Sequence, residues 1–128
     1  EFLKEKAVEL KKRLIEEAPE KQGVKVIVYR GGGSSEIMKD VAFQIRGEVK
    51  GKFLFVAGVD EGAKCQLQVM ISDELVAEGL DASKLIKSGA QFIKGGGGGQ
   101  PHYATAGGKD VNGLADAVNA IVEAAGLN

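Results

Sequence analysis

Near the start of the chain, four apolar residues recur at alternating spacings of four and three, which is the seam of a coiled-coil helix. Lys and Glu fill the other faces of this predicted helix. The seam residues are Leu3, Ala7, Leu10 and Leu14. Two heptads are too few to be stable alone in water. We therefore expect the seam to pack on the rest of the domain, on a partner chain such as a second copy in a homodimer, or on an antiparallel helix outside this sequence.

Three short apolar segments predict the strands of a sheet. Residues 24–30 are dense in β-branched side chains, the pattern of a buried strand, and residues 53–59 and 65–71 are similarly apolar. The five residues between the second and third segments have the length of a hairpin link, so these two strands are predicted to be antiparallel.

Further helices are predicted between and after these strands. Glycines and serines follow the first strand and open a helix, which raises the possibility of a phosphate cradle. Neither GxxxxGK[ST] nor GxGxxG is complete, and a tight turn with a serine N-cap is favoured. The apolar face of this helix contains Ile37, Met38, Val41, Ala42 and Ile45. Residues 72–78 predict a helical turn, residues 82–94 a helix capped by Asp81, and residues after Asp110 or Asn112 a last helix stopped by Gly126.

The pattern as a whole predicts an α/β (α+β) fold. A small mixed sheet with packed helices is preceded by a projecting N-terminal helix. We place that helix, as the end of a coiled-coil linker, in residues 1–20 and a globular domain in residues 24–128.

The most unusual stretch is KGGGGGQPHYATAGGK, residues 94–109. A run of five glycines loses more backbone entropy on folding than any other sequence. Two interpretations stay open: a flexible linker, or a loop whose bare amides form an anion-binding nest. Pro, His and Tyr directly after the run favour the loop. Gly95 is expected to end the preceding helix as its C′ residue.

Composition and charge limit the kinds of ligand that the chain could bind. The chain has 128 residues and a formal net charge of −1, so any nucleic-acid affinity must come from a local patch. Residues 82–109 contain four lysines and no acid, whereas residues 60–81 contain six acids and one lysine. This division predicts a basic face beside the glycines. The alternative is chance clustering on solvated surfaces.

One cysteine and one histidine offer neither a disulfide nor a zinc site. Cys65 falls in an apolar strand pattern and is interpreted as a core residue. No membrane span or signal peptide is apparent. We expect a cytoplasmic protein with no membrane partner, cut from a longer chain.

The stretch 95–110 resembles the C-terminal signature of alanyl-tRNA synthetases, GGGGGxPxxAxAGGxD. The shorter glycine and AxAGG pattern is shared with the DHH-associated domain of some phosphoesterases. The matching residues are Gly95 to Gly99, Pro101, Ala104, Ala106, Gly107, Gly108 and Asp110. The order of predicted elements extends the likeness over most of the chain.

The resemblance implies a non-catalytic C-terminal domain that binds tRNA and dimerises, supporting aminoacylation and editing. The parent would be an ATP-dependent alanine-tRNA ligase using magnesium and zinc, whereas no cofactor is expected in this fragment. Its implied partners are tRNA, the rest of the parent synthetase and a second copy. The residues predicted to contact RNA are Lys94, Gly95, Gly96, Gly97, Gly98, Gly99, Gln100, His102 and Lys109.

Two alternatives remain. One is the substrate-binding half of a DHH-type phosphoesterase, although Gln100 and Pro101 separate Gly99 from His102 where that family often has GGGH, and no Asp-His-His motif is present. The other is a pure dimerisation module in which the glycines only allow close packing. His102 could contact a base or a ribose hydroxyl, or pack within the loop; as a catalytic base it lacks an obvious partner.

Overall fold

The computed structural model describes residues 2–127, and side chains from residue 9 to residue 127. The helices are α1 (Phe2–Glu17), α2 (Ser35–Glu48), α3 (Asp73–Ala77), α4 (Ala82–Ala90) and α5 (Leu114–Ala124). Short 3₁₀ helices cover Gln91–Ile93 and Val111–Gly113. The strands are β1 (Glu20–Lys21), β2 (Val24–Gly32), β3 (Phe53–Asp60), β4 (Cys65–Ile71), β5 (Gly96–Gly99) and β6 (Tyr103–Gly108).

The strands form one mixed sheet in the order β1-β2-β3-β4-β6-β5. Strands β2 and β3 are parallel and are joined by α2, the usual crossover element for a parallel pair. The other neighbours are antiparallel, including the predicted β3–β4 pair. The mixed α/β architecture predicted from the sequence is confirmed.

The sheet separates two hydrophobic layers. Helices α4 and α5 cover one face, where Ile86 and Ile121 are buried with the inward side chains of β3 and β4. Helix α2 covers the other face through Met38, Val41 and Ile45. We call these the α4 face and the α2 face. Helix α2 contacts β6 only at Tyr103, through Phe43. The α2 face of β5 and of the rest of β6 is therefore not covered by this helix.

Helix α1 packs beside α2, and Leu10 and Leu14 contact the hydrophobic layer of the α2 face. Half of the predicted seam therefore lies against its own domain. The other two seam residues, Leu3 and Ala7, lie outside the residues whose side chains are described.

Side chains cap the helices at the predicted places. The Ser34 hydroxyl accepts a hydrogen bond from the Ile37 amide at the start of α2. Asp81 accepts from the Ser83 amide and hydroxyl at the start of α4, and the Ser83 hydroxyl is the main reason that the pKa of Asp81 is lowered. Asp110 accepts from the Asn112 amide ahead of α5.

The structure differs from the sequence-based expectations at three places. Four glycines of the run, Gly96–Gly99, form strand β5 and not a loop, because they pair with β6, a strand that was not expected either. Helix α4 ends at Ala90 and tightens into a 3₁₀ turn, so the left-handed residue that reverses the chain is Lys94 (φ 53°) and not Gly95. Strand β1 was not expected, since two exposed residues carry no apolar pattern.

Candidate nucleic-acid interface

The glycine run and the residues after it form a β-hairpin at the edge of the sheet. Gln100 and Tyr103 exchange backbone hydrogen bonds of 2.8 and 3.2 Å across the turn at Pro101 and His102. Hydrogen-bonded and non-hydrogen-bonded pairs alternate in an antiparallel ladder. The amides of Gly97 and Gly99 are therefore directed to the free edge, whereas those of Gly96 and Gly98 are directed towards β6. The Gly95 amide donates to the Ala90 carbonyl (3.1 Å), so two of the five expected bare amides are available.

The two faces of strand β5 have different steric requirements. A Cβ atom on Gly97 would lie 2.1 Å from the Thr105 carbonyl oxygen, and one on Gly99 would lie 2.5 Å from the Tyr103 carbonyl oxygen. A Cβ atom on Gly96 or Gly98 would meet nothing within 4 Å. Glycine at 97 and 99 is thus required for β5 to approach β6, but glycine at 96 and 98 is not.

The unexplained glycines lie on the open α2 face. Gly96 pairs with Gly107, and Gly98 pairs with Thr105. No protein atom lies within 4 Å of a Cβ position on Gly107 either. We call Gly96, Gly98 and Gly107 the glycine floor. It is a patch of backbone that is exposed at Gly96 and Gly107 and half-buried at Gly98, bordered by the Thr105 side chain, and a ligand could approach it closely.

A basic cleft of about 410 Å³ lies at one end of the glycine floor. Lys64, Lys94 and Lys109 line this lysine cleft, together with the N-terminal Ser35 of α2. One carboxylate also lies there: an oxygen of Glu61 accepts from the Ser35 hydroxyl (3.3 Å) and amide (3.4 Å). The positive end of the α2 dipole therefore carries an acid of the protein itself.

A buried polar network connects the lysine cleft with the hairpin. Gln68 is only 1% exposed and donates through Nε2 to the Ser35 carbonyl (2.8 Å) and to the Gln66 side chain (2.6 Å). Its Oε1 accepts from the Tyr103 hydroxyl at 3.3 Å. Burial raises the pKa of Tyr103 to about 12, so the phenol is a neutral donor over the physiological range. The network fixes β6 against the start of α2.

A second cleft, of about 300 Å³, lies at the opposite end of the floor. This aromatic cleft lies beside Gly98 and Gly99 and is lined by Phe43, Tyr103, Gln100 and His102. The rings of Phe43 and Tyr103 have centroids 5.1 Å apart and planes inclined by 55°. The His102 carbonyl accepts from the Ile71 amide at 3.0 Å, which fixes the backbone of the turn.

The residues predicted to contact RNA fall into two groups on one face. Lys94 and Lys109 lie together at the lysine cleft, and Gln100 and His102 lie at the aromatic cleft. Of the glycines between them, Gly96 and Gly98 face the open side. Lys84 and Lys87 share the same basic stretch of sequence but lie on α4, which covers the opposite face.

Sequence reasoning missed four residues of this face. Lys64 lies on the β3–β4 link within an acidic stretch, and nothing local relates it to residue 94 or 109. Gln66 and Gln68 alternate with apolar residues in β4, and this alternation could have indicated a polar patch on the α2 face. Phe43 is an exposed aromatic residue on the polar side of an amphipathic helix, and this position alone could have indicated that it does not belong to the core.

Cys65 adjoins the lysine cleft but belongs to the hydrophobic layer of the α4 face. Burial raises the pKa of its thiol, and the charges of Asp60 and Asp110 raise it further. A protonated, buried thiol is a poor nucleophile. This agrees with its interpretation as a core residue.

Within residues 9–127, no cluster of three His, Cys, Asp or Glu side chains could hold a metal ion. None of the helices in the described part of the chain is long and apolar enough to cross a membrane.

These elements define a small α/β domain whose outer hairpin presents bare backbone between a basic and an aromatic cleft. Residues 23–126 match the DHHA1 domain. The chain belongs to the DHHA1 domain family.

Its relatives include alanine–tRNA ligases. The enzyme of Parabacteroides distasonis is 48% identical over 127 residues, which cover 99% of this chain and 14% of that protein. The enzyme of Bacteroides fragilis is 49% identical over 127 residues, covering 99% of this chain and 15% of the relative. The chain thus spans about one seventh of the length of these ligases.

The fold is similar to that of the C-Ala domain from Aquifex aeolicus alanyl-tRNA synthetase. The TM-score is 0.66 at 23% identity, and the match covers 82% of this chain and 96% of that structure.

Proposed function

We propose that this chain is the C-terminal domain of an alanine–tRNA ligase and that it binds tRNA without catalysing a reaction. The observation that carries the proposal is the open α2 face of the β5–β6 hairpin. Its glycine floor has no steric cause within the domain, and two lysines of the glycine motif flank one end. Because relatives of this chain are alanine–tRNA ligases, we expect the polyanion that binds this face to be tRNA.

The chemistry of this face suits the backbone of folded RNA. Lysine ammonium groups bind phosphates as point charges without demanding a particular geometry. A surface without side chains lets a sugar-phosphate backbone approach, and free amides of Gly97 and Gly99 at the strand edge can donate to it. Such contacts position a nucleic acid without reading its sequence, so recognition depends on shape.

The net charge of the whole chain is −1, which means that affinity depends on the arrangement of charge and not on its sum. Lys64, Lys94 and Lys109 face the same cleft, whereas Glu61 is the carboxylate that opposes them. We therefore expect moderate, strongly salt-dependent binding.

Gel-shift titration of the 128-residue chain with tRNA at two salt concentrations tests the proposal. Wild type should form a complex that weakens as salt rises. Lys94→Ala combined with Lys109→Ala should weaken binding and lower the slope of log K against log salt by about one per lysine. Lys84→Ala combined with Lys87→Ala is the matched control, because it removes the same charge from the opposite face.

A second variant tests the glycine floor. Gly98→Val projects a side chain into open space and should leave the fold intact, but it should obstruct an RNA backbone. Equal weakening by both lysine pairs would contradict a specific face. Absence of a shift for wild type at low salt would contradict tRNA binding itself.

Self-association and the partners of the parent protein form the rest of the proposal. Because Leu10 and Leu14 are packed on their own domain, a homodimer through α1 would have to use the beginning of that helix or another face. Sedimentation of the chain, with a mass of 13.4 kDa for the monomer, measures this directly. ATP, magnesium and zinc would act in other parts of the parent ligase.

A similarity to the structure of RecJ in complex with Mg²⁺ from Thermus thermophilus (TM-score 0.60, 15% identity, 94% of this chain and 17% of that one) concerns the fold alone. It does not favour the phosphoesterase alternative. The test is hydrolysis of short oligonucleotides by the parent protein with manganese.

A further inference from the structure

Phe43 is a large aromatic residue that the hydrophobic core does not use. It lies on α2 next to the buried Ala42, yet its side chain is 44% exposed. One side of its ring contacts Tyr103, and the rest faces the aromatic cleft. Tyr103 itself is half-buried, with its hydroxyl committed to Gln68. Phe43 is therefore the aromatic ring of this cleft that is available to contact a ligand.

The groups around the ring are polar and lie at the rim. His102 and the Gln100 side chain border the cleft, and the backbone groups of Gly99 are directed to the adjoining free edge. An apolar plane surrounded by hydrogen-bonding groups matches the chemistry of a nucleobase, which has a π face and polar edges.

The aromatic cleft and the lysine cleft are separate and lie at opposite ends of the same strand pair. The four paired residues of β5 span about 10 Å between the two ends at the usual rise per residue. A polynucleotide that lies along the floor can therefore place phosphates near Lys94 and Lys109 while a base reaches Phe43. This charge on the same surface favours RNA over an uncharged partner.

We infer that the aromatic cleft binds an exposed nucleobase of tRNA, with Phe43 as the stacking platform and His102 and Gln100 at the base edge. The inference rests on the proposed function and deepens it by naming the part of the ligand that the second cleft takes. Stacking accepts any base, so the site positions the RNA but discriminates little between base sequences.

Phe43→Leu tests the inference, because it keeps an apolar side chain but removes the π face. Phe92→Leu is the matched control, since Phe92 is exposed to a similar extent (40%) but lies on the 3₁₀ turn after α4. Affinity for tRNA should fall about 5- to 100-fold in Phe43→Leu and stay at the wild-type value in Phe92→Leu. Phe43→Trp should retain or increase the affinity.

The salt dependence separates stacking from charge. Phe43→Leu should lower the affinity at every salt concentration by the same factor, since stacking releases no counterions, whereas the Lys94 and Lys109 double variant should change the slope.

If wild type binds tRNA and the lysine variant weakens binding while Phe43→Leu does not, the inference is wrong and the proposed function stands. If wild type does not bind, both fail. A change of sedimentation in Phe43→Leu without a change in tRNA affinity would identify the cleft as a protein contact and overturn the inference.

Discussion

Gly97 lies so close to Thr105 that a Cβ atom on it would stand 2.1 Å from the Thr105 carbonyl oxygen. Its neighbour Gly98, on the opposite face of the strand, has nothing within 4 Å of the same position. Two adjacent glycines of one motif therefore exist for different reasons. The first permits the hairpin to form, and the second leaves a surface open.

Alanine substitution at the two positions should have opposite effects on stability. Gly97→Ala forces β5 away from β6 and should lower the free energy of unfolding by about 1–3 kcal/mol or more. Gly98→Ala removes backbone freedom from the unfolded chain and should be neutral or stabilising by about 0.4–1 kcal/mol. Urea denaturation of both variants measures the difference. Equal destabilisation would contradict the steric distinction.

The regular elements were predictable because their patterns are local. Strand β4 was predicted with its observed bounds, α2 has the expected serine N-cap in Ser34, and Asp81 caps the helix that it was expected to cap. Strand β5 could not be predicted, since glycine has low strand propensity and its pairing partner lies beyond a turn. Only the tertiary context of β6 makes the run a strand.

The candidate site was predictable only in part. The glycine motif and its lysines are adjacent in sequence, so their common location follows from the motif. Lys64 and Phe43 belong to other elements and join the face through the order of the strands and the crossover helix. Long-range juxtapositions of this kind have no signal in a single sequence.

Gln68 and Tyr103 should be energetically coupled. Gln68→Leu leaves the half-buried Tyr103 hydroxyl without its acceptor and the Ser35 carbonyl without its side-chain donor, and should cost about 1–3 kcal/mol. Once Tyr103→Phe has removed the hydroxyl, the same change should cost less, with a coupling of about 0.5–1.5 kcal/mol. A double-mutant cycle in urea provides the measurement, and strict additivity would argue against the hydrogen bond.

Tyr103 should ionise abnormally late. Its pKa is raised from 10 to about 12 because burial disfavours the phenolate. The folded state then holds a proton that the unfolded state releases, so this contribution to stability is complete below pH 10 and is lost as the pH rises towards 12. Ultraviolet titration of phenolate, by difference between wild type and Tyr103→Phe, measures the pKa. A value near 10 would contradict the burial of the hydroxyl.

Cys65 should resist thiol reagents in the folded protein. The thiol is buried, and burial together with Asp60 and Asp110 raises its pKa, so little thiolate forms at neutral pH. We expect labelling by a disulfide reagent to be at least about tenfold slower in the native than in the urea-unfolded chain. Labelling at the unfolded rate under native conditions would show that the cleft exposes the sulfur.

Glu61 should restrain the affinity of the lysine cleft for RNA. Its carboxylate lies at the N-terminus of α2, where a phosphate would otherwise find the Ser35 amide and hydroxyl. Glu61→Gln keeps a hydrogen-bond acceptor but removes the charge, so affinity for tRNA should rise about two- to fivefold at low salt and converge with wild type as salt increases. The same change should lower the free energy of unfolding by about 0.3–1 kcal/mol, because α2 loses a favourable charge at its positive end. Glu74→Gln, on the exposed surface of α3, is the matched control for net charge. An equal gain in affinity from both variants would mean that the effect comes from the net charge of the chain and not from the position of Glu61 in the lysine cleft.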